Sequence, residues 1–146
     1  MVIALISLIP SIISLFASLT SDIPKEFRQQ IKQGSAQQFE LNKVVSLDQD
    51  KIKFKHLIVT AKETLLIYEV HKKEPGWSFP DSALKLMDEQ GNLYQNDGGS
   101  SSGESWGQLS INHYGPLPKQ TNIIVLDFNW YDRSFQTELT LEQEER

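Results

Sequence analysis

Residues 51–72 constrain the fold of this chain more than any other stretch. They read KIKFKHLIVT, then AKE, then TLLIYEVHK. Two runs rich in β-branched and aromatic residues flank a short polar connection, the pattern of a β-hairpin. Strict alternation predicts Ile52, Phe54, His56 and Ile58 on one face of the first strand, with Lys51, Lys53, Lys55 and Leu57 on the other. In the second strand Leu66, Tyr68 and Val70 share a face opposite Leu65, Ile67, Glu69 and His71. A period of two places one side of a strand on a core and the other near water.

The same strand-and-turn grammar runs through the rest of the chain. Phe39–Leu47 reads as a strand before the hairpin, and Asp48-Gln49-Asp50 as the turn between them. KKEPGWSFPDS carries Pro75, Gly76 and Pro80 and reads as a loop. Ala83–Met87 is a short strand, Asp88–Asn92 a turn in which Gly91 supplies positive φ, and Leu93-Tyr94-Gln95 an extended return. Asn96–Gly103 is a flexible loop by composition. Trp106–Tyr114 is the next strand, closed by the rigid bend Gly115-Pro116-Leu117-Pro118. Asn122–Tyr131 is the most apolar strand, with Ile124, Leu126, Phe128 and Trp130 inward; being apolar on both faces, it belongs at the centre of its sheet. Phe135, Thr137, Leu139 and Leu141 then alternate with polar residues.

Seven or eight short strands with turns every 8–12 residues or so predict a mainly β fold, an immunoglobulin-like antiparallel β-sandwich over residues 36–146. The Cys…Trp…Cys signature of antibody domains is absent, since the chain has no cysteine. Disulfides, thiolate chemistry and cysteine metal sites are thereby excluded.

Two segments precede the sandwich. Residues 1–19 carry no charged side chain. Three readings compete for them: a membrane anchor, which their length and polarity favour, a cleaved signal peptide, which lacks its usual leading basic residue, and a helix buried against the domain. The lysines and arginine that follow (Lys25, Arg28, Lys32) would, by the positive-inside tendency, hold the rest of the chain in the cytoplasm. Residues 20–35 form the connector. Within it residues 22–33 read as an amphipathic helix, with Ser21 or Asp22 as cap, Pro24 in the first turn, an Ile23-Phe27-Ile31 stripe for packing and Gly34 as the stop.

The order of these parts, with the phrases SAQQFELNKVV, TLLIYEV, LKLMDEQGNLY and GPLPKQTNIIVLDF, resembles the extracytoplasmic part of Gram-positive, membrane-anchored proteins of unknown function. These are grouped with regulators of extracytoplasmic-function sigma factors. The clearest shared phrase is D-x-x-G-N-x-Y at Asp88, Gly91, Asn92 and Tyr94. The resemblance implies an immunoglobulin-like domain outside the cell membrane, tethered through residues 1–19. In that family a cytoplasmic segment precedes the apolar helix. Here Met1 falls inside the apolar run, so the part that would bind a sigma factor is not in this sequence. The family offers no catalytic residues to carry over.

Chemical signatures are sparse. His56, His71 and His113 fall on three different strands with no HxH or HxxxH spacing, which favours ordinary surface or core roles over zinc. Asp48 and Asp50, with Asp127 or Asp132, lack a calcium-loop pattern and read as turn carboxylates. Ser105 in Gly103-Glu104-Ser105-Trp106-Gly107 is out of frame for a nucleophile elbow. The Gly-rich loop has no phosphate-binding fingerprint. These features predict a non-enzyme without cofactor or metal. A net charge of −5 argues against a nucleic-acid partner.

The expected contact residues for a protein or cell-wall ligand are Trp77, Phe79 and Trp106, which an open sandwich end would expose together; the competing reading has each capping the core. The functional expectation is a membrane-tethered, extracytoplasmic sensing or regulatory domain. The alternatives are a carbohydrate-binding module for an envelope polysaccharide and, for localisation, secretion.

Overall fold

The computed structural model describes residues 23–141. Residues 1–19, read above as an anchor, signal peptide or core helix, lie outside that range. Among the described residues no helix is long and apolar enough to cross a membrane.

Among the described residues one helix, α1 (Lys25–Gln33), leads into nine strands: β1 (Ala36–Leu47), β2 (Asp50–Thr60), β3 (Thr64–His71), β4 (Leu84–Met87), β5 (Leu93–Tyr94), β6 (Gly99–Glu104), β7 (Gly107–Tyr114), β8 (Ile123–Trp130) and β9 (Arg133–Thr140). They build two antiparallel sheets, one ordered β1-β2-β3-β7-β6 and the other β5-β4-β8-β9, in a sandwich-like arrangement. The main core lies between them. Phe54, Leu57, Leu66, Tyr68 and Val70 of the first sheet meet Leu84, Leu86, Ile124, Leu126 and Phe128 of the second. As its two apolar faces predict, β8 is central in its sheet.

The hairpin departs from strict alternation at one point. Phe54 pairs with Tyr68 but His56 with Ile67, so Lys55 is an extra residue in β2. A bulge of this kind switches every following side chain to the other face. Leu57, not His56 or Ile58, therefore joins Ile52 and Phe54 in the main core, and Ile58 faces outward. β1 follows its neighbour with its own irregularity between Glu40 and Lys43, where Asn42 sits at φ 47°.

The switch creates a second apolar surface on the outside of the five-stranded sheet, and α1 covers it. Ile23 and Phe27 pack on Ile58, Leu65 and Ile67, with Ile31, Leu109 and Ile111 at the margin. Burial of a phenylalanine such as Phe27 contributes about 2–3 kcal/mol. The helix ends where expected: Gly34 adopts φ 80° and its N–H reaches the carbonyls of Gln30 and Ile31. It starts later than expected: Pro24 is the cap rather than a residue of the first turn, so neither Ser21 nor Asp22 caps the helix, and the Pro24 carbonyl accepts from the N–H groups of Phe27 and Arg28.

Two further expectations fail. Asn96–Gly103 is not all loop, because Gly99–Glu104 forms the edge strand β6 on β7, raising the strand count to nine. Its low β propensity is overridden by the open edge of β7, which offers unpaired backbone groups. Trp130 is not core; it is 40% exposed. The last β4–β8 pair is Leu84 with Phe128, so nothing from β4 lies beside Trp130, whose ring meets that of Tyr131 edge-on.

Candidate functional site

The three proposed contact residues separate in space and in role. Phe79 is buried, stacked on Phe128 at 4.6 Å with Tyr68 edge-on at 5.9 Å. Its ring fills the core and is not available to a ligand. The flanking Pro75 and Pro80 mark the loop, but only the inter-sheet packing decides that this aromatic turns inward.

Trp77 is half-buried and packs against the same core. Its indole lies between two cations, the Lys72 ammonium 3.9 Å and the Arg133 guanidinium 4.3 Å from the ring. Each cation is itself held. Lys72 Nζ pairs with Asp50 at 2.6 Å, and Arg133 pairs with Asp48 at 2.7 Å and Glu74 at 2.5 Å. Asp50 is buried and also accepts from the N–H groups of Lys73 and Glu74. Burial works against its charge, but the Glu74 N–H, the Lys72 ammonium and the Lys73 N–H outweigh that cost and hold the carboxyl below its usual range. Trp77 is thus a clamp between the ends of the two sheets rather than an open platform.

Trp106 is different. It sits in the β6–β7 turn, half-buried, with its ring stacked on His71 at 4.5 Å and 19°. The turn is pinned by Lys72 N–H donating to the Trp106 carbonyl. The next residue must be glycine: Gly107 adopts φ 150°, and a Cβ there would stand 1.8 Å from the Val70 carbonyl oxygen. His71 Nε2 lies 2.9 Å from Glu69, whose other oxygen takes Lys55 at 3.4 Å. Burial of Glu69 is outweighed by His71 and Lys55, so its pKa is lowered.

The stacked pair borders an open groove of about 460 Å³ on the outer face of the five-stranded sheet. Val44 and Gln49 contribute from the β1–β2 side, and Lys51, Lys53, Lys72 and Lys73 supply cations. Val44 is 53% exposed. Lys72 is committed to Asp50 and Trp77. Among the described residues no carboxylate stands within ion-pair distance of Lys51, Lys53 or Lys73. Sequence reading found Trp106 but missed the lysines, although Lys51 and Lys53 at spacing two signalled a shared face.

A second concavity, at Asp88–Gln90 and Pro118–Thr121, offers less. Asp88 is buried and accepts from Gln90 N–H, Asn92 N–H, Asn92 Nδ2 and the Tyr94 hydroxyl. Burial opposes its charge, but these donors lower its pKa, while burial and the Asp88 bond push Tyr94 up to about 12. Glu89 accepts from the N–H groups of Asn122 and Ile123. The D-x-x-G-N-x-Y phrase is therefore a structural latch whose oxygens are already engaged.

The other two histidines stand apart. His56 is buried, with Gln38 Nε2 3.4 Å from its Nδ1, and His113 lies 2.8 Å from Glu63. Among the described residues no group of three His, Asp or Glu is placed as metal ligands would be. Asp48 lies in the expected turn but Asp50 opens β2, and both carboxylates bond distant segments: Asp48 pairs with Arg133 and Asp50 holds the loop after β3.

Fold and groove together define a small, mainly antiparallel β-sandwich-like domain with one half of an outer sheet face open and cationic. The chain belongs to the family of unknown function DUF5643, which matches residues 36–145. No curated protein and no solved structure matches it.

Proposed function

We propose that this chain is a non-catalytic domain, tethered to a bacterial membrane through residues 1–19 and displayed on the extracytoplasmic side, that senses or regulates by binding a protein or envelope ligand. We read its sandwich as immunoglobulin-like, a reading that the two stacked antiparallel sheets and their three crossings support. The observation that carries the binding function is the division of the outer face. α1 seals the half around Ile58, Leu65 and Ile67, while the half around Lys51, Lys53 and Trp106 is left uncovered. Exposed lysines are ordinary on a sheet face, but the Trp106–His71 stack and exposed Val44 bordering the same groove make an aromatic and apolar patch of the kind that marks a binding surface.

A carbohydrate-binding module is the second reading, favoured by the Trp106–His71 stack. A coplanar pair of Trp77 and Trp106 does not support it, because Trp77 is engaged by Lys72 and Arg133.

Fractionation of cells expressing the full chain with a carboxy-terminal tag, followed by protease shaving of intact cells, tests the tether. The tag is expected in the membrane fraction and lost on shaving. A soluble, protected tag would overturn both the anchor and the outward placement.

A further inference from the structure

We propose that the groove beside Trp106 binds an anionic glycan, a sugar or polyol polymer carrying carboxylate or phosphate groups. This deepens the ligand-binding function proposed above and rests on it. Three observations converge. Lys51, Lys53 and Lys73 present ammonium groups without carboxylate partners among the described residues, on a protein whose net charge is −5. The two carboxylates of β2 and β3 beside these lysines are spent: Glu69 on Lys55 and His71, Asp50 on Lys72 and backbone donors. The local field is therefore positive where the global one is negative, the arrangement that steers an anion to one place.

The flanks of the groove supply the rest. Trp106 and His71 form an aromatic wall on the β7 side, and exposed Val44 an apolar margin on the β1 side. Apolar walls around a few charged groups suit a ring-bearing ligand with pendant anions. Lys51 and Lys53, two residues apart on one strand, repeat their charge at roughly 7 Å. That periodicity fits a repeating polymer better than a single small anion.

An acidic peptide fits less well. The groove lies on the face of the sheet, where β2 has spent its backbone donors and acceptors on β1 and β3, and β3 on β2 and β7; the open edge of β1 points along the sheet and not into the groove. An extended peptide there gains no strand hydrogen bonds and must leave its own backbone groups to water. Lysines without arginine also suit diffuse charge contact more than bidentate readout of single carboxylates.

The test is titration of the full chain, in neutral detergent, with polygalacturonate and phosphorylated dextran as carboxylate and phosphate probes. Neutral dextran, polyglutamate, single-stranded DNA and anionic lipid vesicles are run beside them. Binding to one or both charged glycans is expected, weakening about tenfold between 50 and 200 mM salt, as a few released counterions require. The carboxylate and phosphate arms tell which anion the groove prefers. Lys51→Gln with Lys53→Gln should weaken binding at least tenfold, Lys73→Gln a few-fold, and Trp106→Ala at least fivefold with recovery in Trp106→Phe. Lys25→Gln with Lys62→Gln, an equal charge change on exposed residues outside the groove, should leave binding unaltered. Equal affinity for neutral dextran, for polyglutamate, DNA or vesicles, or equal loss in the Lys25/Lys62 pair, would overturn the proposal. So would no binding of either charged glycan. In that case a chain still shaved from intact cells would leave its tether and outward display standing.

Discussion

The two halves of β2 lie on one continuous strand and obey different physics. Before Lys55 the outward side chains are Lys51 and Lys53, both exposed; after it they are His56, buried beside Gln38, and Ile58, buried against Ile23 and Phe27. A single inserted residue makes the difference. Unbroken alternation would have sent His56 into the main core and Leu57 to the outer face. The bulge instead gives the strand a core position in each half and an outer face that is wet at one end and dry at the other. An open surface for recognition and a closed one for stability can coexist on one sheet when a register switch separates them.

The sharpest way to break this division is Leu57→Asp. The bulge turns position 57 into the main core, where a carboxylate would be buried without a partner, whereas unbroken alternation would leave it on the outer face. Loss of cooperative unfolding by circular dichroism is expected; a variant with a native-like melt would show that the bulge does not set the faces. Next in size is the seat of the helix. Phe27→Ala should cost about 3–4 kcal/mol in urea denaturation, since it empties a buried aromatic site. The open half should show the reverse: Lys51→Gln with Lys53→Gln should stay within about 0.5 kcal/mol of the parent.

Gly107→Ala probes the boundary between stability and the groove. With its Cβ directed at the Val70 carbonyl, the turn must open, at a cost of about 2–3 kcal/mol, and Trp106 must leave His71. Stability and tryptophan fluorescence should change together; a stable variant with unaltered emission would contradict the fit.

Acid exposes a smaller effect. Asp50, Glu69 and Asp88 all have pKa values lowered by folding. Each contributes stability that is present above its unfolded value, 3.8 for the aspartates and 4.5 for Glu69, and that disappears as pH falls through its folded value. Stability measured from pH 6 downward should therefore fall below about pH 5. Asp88→Asn should flatten that fall and cost about 2 kcal/mol at neutral pH. An unchanged slope in this variant would mean that the latch carries no charge-dependent stability.

How much of this was legible in the sequence follows from the range of the forces involved. Local signals held: β3 kept its predicted faces, β8 its central place, and Gly34 its cap. The failures share one cause, dependence on a partner strand distant in sequence. The Lys55 bulge answers to Tyr68 and Ile67. β6 exists because β7 has a free edge, and Trp130 is exposed because β4 is short. For the candidate site, the lysine face was visible as a pattern. That half of it would be covered was not, since the cover depends on where the Ile23-Phe27-Ile31 stripe lands. Phe79 and Trp77 were sorted from Trp106 only by what came to rest beside them.

The Trp77 clamp has a consequence in time. Its members come from the β1–β2 turn, the end of β3 and β9; Asp48 and Arg133 are 85 residues apart in the chain. Contacts that wait for such distant segments form late, and interactions missing from the transition state govern how fast a protein comes apart rather than how fast it assembles. Arg133→Gln should therefore steepen loss through faster unfolding while refolding keeps its rate, which stopped-flow chevrons would resolve. A slowed refolding limb would instead mark the clamp as an early nucleus. With refolding unchanged, the same two cations and three carboxylates that deny Trp77 to a ligand act as the catch that sets the lifetime of the folded domain.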